Sequence, residues 1–81
     1  MMMTPSECRS ARLLLGWSQL RLSEASGTDA AAIRDFETGR LPPKEGNVAA
    51  LQRALQDAGV EFVSEIGGGT GVKLTVSKGN G

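Results

Sequence analysis

The side chains of this chain that can do chemistry are mostly hydrogen-bond donors, gathered between residues 18 and 44. They are Ser18, Gln19, Thr28, Arg34, Thr38, Arg40 and Lys44. A guanidinium such as that of Arg34 can reach a guanine edge through two hydrogen bonds, or a phosphate. Arg40, Lys44 and the hydroxyls of Thr28 and Thr38 suit phosphate oxygens. Ala30, Ala31 and Asp35 lie among them. An alanine methyl can touch a thymine methyl, and a carboxylate can accept from cytosine N4. This is chemistry of recognition rather than of bond making. For Arg34, Arg40 or Lys44 taken singly, the alternative is a solvated surface charge.

Catalysis has little to draw on. The chain holds one cysteine, Cys8, and no histidine. Neither a Ser–His or Cys–His nucleophile nor a zinc site is available, and no pair of carboxylates marks a pocket. No enzyme activity, metal, cofactor or small-molecule ligand is expected. A lone Cys forms no internal disulfide and reads as a small core hydrophobe. With no membrane-spanning apolar run and no signal peptide, a cytoplasmic protein is expected.

The donors need a scaffold, and residues 17–40 describe one: two short helices joined by a tight turn at Gly27. Ser18 can cap the first of these, over 19–26. Leu22 and Ser26 share its inner face, with Ser23 and Ala25 beside them. Gly27 supplies the left-handed turn conformation. Asp29 or Thr28 caps the next helix, over 30–38, and Gly39 stops it. Ile33 and Phe36 point inward, which leaves Ala30, Ala31, Arg34, Asp35 and Thr38 outward. The second helix of such a unit can enter the major groove of DNA. Ser18 and Gln19 open the helix before it, where free N–H groups and the helix dipole favour a phosphate.

On either side, the chain completes a small domain. Thr4, Pro5 and Glu7 form a capping box with proline at the first helical position, and a helix carrying Cys8, Ala11, Arg12 and Leu15 on one face runs to Gly16. Pro42 and Pro43 form a connector. A fourth helix starts between 44 and 47, carries Val48, Leu51, Ala54, Leu55 and Ala58, and ends at Gly59. Two β-prone runs, 60–64 and 72–76, then flank a glycine-rich loop at 67–71 and read as a hairpin. That loop lacks the Gly-Lys-Ser/Thr ending of a phosphate loop and leads into no helix. Residues 1–3 are expected to be a disordered tail, 4–59 the helical domain, 60–77 the hairpin extension and 78–81 a frayed tail. The expected fold class is mainly α, four helices followed by a C-terminal β-hairpin. Two strands alone are marginal in water, so the hairpin should pack on the domain or form a dimer contact, through itself and helix four.

From about Cys8 to Leu55 the chain resembles the Cro/repressor-type (XRE) helix-turn-helix family. The carriers are Arg12, Gly16, Trp17-Ser18-Gln19, Leu22, Gly27, Ile33 and Phe36-Glu37-Thr38-Gly39-Arg40. The resemblance implies that the 30–38 helix is the recognition helix and that Gln19 contacts the DNA backbone. It also implies that Arg12 pairs with Glu37 as a partly buried ion pair. The chain departs from many relatives at Ala30 and Ala31, where they carry Gln, Ser or Arg. It departs again at Asp35, which is acidic, and at Thr28, which replaces an apolar turn residue. A small DNA-binding transcription regulator acting as a homodimer on double-stranded DNA is the leading reading. A protein-interaction or antitoxin-like module on the same fold is the rival, favoured by nine basic against nine acidic residues.

Overall fold

Local signals set the helix ends. Thr4 accepts from the Glu7 N–H at 3.1 Å while the Glu7 carboxylate accepts from the Thr4 N–H at 2.8 Å. This reciprocal cap starts α1 (Pro5–Leu14). Ser18 Oγ accepts from the Arg21 N–H at 3.0 Å and starts α2 (Gln19–Ser26). Asp29 occupies the cap position of α3 (Ala30–Thr38) without a side-chain capping bond. α4 spans Glu45–Asp57. Gly27 and Gly39 end α2 and α3 at φ of 75° and 72°, a left-handed conformation that side chains with a Cβ resist. The computed structural model describes residues 3–40, 44–64 and 70–74.

The remaining elements are β1 (Val60–Ser64) and β2 (Thr70–Leu74). They pair antiparallel, with Val60 opposite Leu74 and Ser64 opposite Thr70. β2 thus begins at Thr70, inside the segment expected as loop, where Thr70 pairs with Ser64. Positions 75 and 76 of the expected strand lie outside the described residues, as do the connector prolines and the 78–81 tail. The hairpin rests on the helices, β2 against α1 and β1 against α4.

One apolar cluster joins all these pieces. Cys8 and Ala11 of α1, Leu22 of α2, Ile33 and Phe36 of α3, Val48, Leu51, Ala54 and Leu55 of α4, and Val60 of β1 are buried together. Leu15, Trp17, Phe62 and Val72 pack around the margin. The pattern follows helical spacing, one face in and the other out.

Two further expectations are corrected. Met3 is no part of a disordered tail: it is buried in the core cluster, and its N–H donates to Gln52 Oε1 at 3.2 Å. An apolar side chain beside a helix start has a surface to cover, which a purely local reading does not reveal. Ala25, expected beside the inner face of α2, is exposed. In so short a helix only Leu22 is buried.

Candidate nucleic-acid interface

The outward face of α3 follows from what its inward face buries. With Ile33 fully covered and Phe36 nearly so, Ala31, Arg34 and Thr38 are left exposed. Ala30 and Asp35 are half-buried at the edges of that face. Arg40, just past Gly39, and Lys44, at the cap position of α4, are exposed as well. Asp35 shares a cleft between α3 and α4 with Asp29 and Lys44.

The hydroxyls of Thr28 and Thr38 sit in different settings. Thr28 is only 5% exposed, which corrects its assignment as a phosphate contact. The turn position it holds faces inward, and its N–H donates to Ser26 Oγ at 3.2 Å. Thr38 Oγ1 is exposed but donates to the Arg34 carbonyl at 2.8 Å. A phosphate would compete with that carbonyl for the proton.

Beneath α3 lies a small polar network. Arg12 Nε donates to Glu37 Oε2 at 3.0 Å, and Arg12 Nη2 donates to Glu37 Oε1 at 2.9 Å. The two side chains are 12% and 3% exposed, so solvent screens the pair little. Arg12 Nη1 donates to the Trp17 carbonyl at 2.9 Å. Gln19 Nε2 donates to Glu37 Oε1 at 3.1 Å, and the Cys8 thiol donates to Glu37 Oε2 at 3.5 Å. No buried side-chain nitrogen or oxygen among the described residues lacks a partner.

The electrostatics follow from this arrangement. Burial by itself would raise the Glu37 carboxyl. Hydrogen bonds from Arg12 and Gln19, the Arg12 charge and the Cys8 thiol outweigh it and hold the group below the usual carboxylate value. Burial pushes the Cys8 thiol up to about 12, with the Glu37 charge adding to it. Cys8 is therefore a neutral donor, not a nucleophile.

Sequence reasoning missed the roles of Cys8 and Gln19 in this network. Cys8 and Arg12 are four apart on one helix, so they share a face. That spacing was the available signal. Nothing local linked Gln19 to Glu37. Arg21 is exposed, and its guanidinium lies over the Trp17 ring at 4.8 Å from the centroid.

Among the described residues no three His, Cys, Asp or Glu side chains gather as metal ligands would, and no helix there is long and apolar enough to cross a membrane. Comparison with known families places a helix-turn-helix family model on residues 9–56, more than half of the chain. No curated protein matches it.

Proposed function

The chain belongs to the Cro/repressor-type helix-turn-helix family of DNA-binding transcription regulators, and from that premise we propose that it reads duplex DNA by laying α3 in the major groove. The observation that carries this reading is the uncovered face of α3, with Ala31, Arg34 and Thr38 exposed above buried Ile33 and Phe36. Arg34 is the base reader, bidentate to a guanine edge. Ala30 and Ala31 meet thymine methyls, and Asp35 accepts from a cytosine amine. Ser18, Gln19, Arg40 and Lys44 hold phosphates on either side, with α2 offering its N-terminal N–H groups beside Gln19.

The protein acts as a homodimer, joined through the hairpin and α4. Three facts support this. Among the described residues the sheet has two strands, so each has an outer edge that no third strand there covers. Leu74 of β2 is 43% exposed. Leu13 and Leu14, on the helix that β2 packs against, are exposed too. Two-fold symmetry would then match half-sites about 34 Å apart. The hairpin thus serves as an extension of the helical domain at 4–59.

A second reading, a protein-interaction module that does not read DNA, is favoured by the zero net charge and the two alanines at the start of α3. Selection from a pool of random duplexes, run with the parent, Gln19→Ala and Arg34→Ala, decides between them. A motif recovered with the parent and lost with Arg34→Ala supports base reading. If roughly six phosphates are contacted per dimer, log K falls with log salt at a slope near −5. No motif and no salt dependence would favour the second reading.

A further inference from the structure

Glu37 is where three segments meet that a DNA contact needs in fixed relation. Oε1 accepts from Arg12 of α1 and from Gln19 at the start of α2. Oε2 accepts from Arg12 again and from Cys8. The remaining Arg12 nitrogen holds the carbonyl of Trp17, the residue before the α2 cap. The start of α2 is thus tied to α3 twice, once by the Gln19 side chain and once by the Trp17 backbone, through one nearly buried carboxylate.

A primary amide has similar shape but opposite polarity at its two ends, so a free glutamine presents oxygen or nitrogen with comparable ease. An ionised carboxylate only accepts. Beside Glu37, the Gln19 amide must therefore turn its nitrogen inward, and one of its two N–H hydrogens is used. The direction of the other is then set as well. A phosphate also only accepts, so an amide that swivels freely would spend part of its time offering the wrong end.

We propose that Glu37 is the positioning residue for Gln19, holding its amide so that the second Nε2 hydrogen meets a DNA phosphate. This rests on the reading of Gln19 as a phosphate contact. The buried pair then serves DNA binding directly, and not stability alone.

The test uses a short fluorescent duplex recovered by selection with the parent protein. Its affinity is measured for Gln19→Ala, for the double variant Arg12→Met with Glu37→Met, and for all three changes together. The double variant removes both charges and leaves neither stranded. Gln19→Ala should weaken binding about tenfold, the worth of a hydrogen bond to a charged group. The double variant, folded by circular dichroism, should weaken it by at least as much. Adding Gln19→Ala to it should cost nothing further. Parental affinity in the folded double variant, or a full tenfold cost of Gln19→Ala on that background, would overturn the proposal. Parental affinity of Gln19→Ala alone would remove the phosphate reading itself, and the proposal with it. Should the double variant not fold, nuclear magnetic resonance on the parent decides. A Gln19 side-chain amide whose nitrogen relaxation matches that of the rigid backbone supports the positioning role, and one that moves freely on the sub-nanosecond timescale refutes it.

Discussion

Arg12 and Glu37, 25 residues apart in the chain, face each other through two parallel hydrogen bonds of 3.0 and 2.9 Å. The guanidinium fork and the carboxylate match in geometry, the arrangement in which such pairs are strongest. The contact joins α1 to α3 and sits directly under the surface proposed to read DNA. The third guanidinium nitrogen is also occupied and each carboxylate oxygen accepts a second bond, so the pair is the centre of a network rather than an isolated bridge.

Breaking this pair on one side should be far worse than removing it whole. Glu37→Ala or Arg12→Ala strands a charge and should lower the unfolding free energy by about 3 kcal/mol. The Arg12→Met, Glu37→Met variant should stay within about 1 kcal/mol of the parent. Urea denaturation followed by circular dichroism measures both. Equal losses in single and double variants would mean that packing, not the stranded charge, sets the cost.

Acid should unfold the protein partly through Glu37. Its carboxyl is lower in the folded chain than its ordinary value of 4.5. The stability it contributes is therefore whole above pH 4.5 and is lost as pH falls through that value toward the depressed folded one. Melting temperatures recorded across this range should drop less steeply for Glu37→Gln than for the parent. Parallel curves would remove Glu37 as a source of acid sensitivity.

Cys8 predicts the opposite limb. Its thiol is raised from 9.0 to about 12, first by burial and then by the Glu37 charge. The stability linked to it is present below pH 9.0 and declines as pH rises from there toward 12. Cys8→Ser should flatten that alkaline decline. In the folded parent at neutral pH, iodoacetamide should label Cys8 only at the rate of unfolding, since the residue is fully buried. Rapid labelling under native conditions would contradict the burial.

DNA affinity should respond to charge in a sorted way. Arg40→Ala and Lys44→Ala should weaken binding to every duplex alike, and each should reduce the steepness of the log K against log salt plot by about 0.9 per subunit. Asp35→Ala should strengthen binding to unselected duplexes, because a carboxylate on that edge repels phosphates. Fluorescence anisotropy over a salt series tests all three, and an unchanged slope for both cation variants would take them out of the interface.

Much of the fold was legible in the residues themselves. Thr4 with Glu7, Ser18, Gly27 and Gly39 marked helix ends because capping and left-handed turns act over three or four residues. Spacing alone separated Ile33 and Phe36 from Arg34 and Thr38, since 3.6 residues per turn leaves no other way to bury the apolar pair. Family resemblance supplied the expectation that Arg12 meets Glu37, which no local pattern contains.

What the tertiary structure decided was everything that depends on partners distant in the chain. Gln19 and Cys8 converge on Glu37 from 18 and 29 residues away, and Met3 reaches Gln52 across 49. Thr28 is covered although its type suggests a surface. The start of β2 at Thr70 was set by pairing with β1 and not by its own composition. A hydrogen bond between remote segments leaves no periodicity in either. The chain alone thus determined which faces exist, and only packing decided what each one meets.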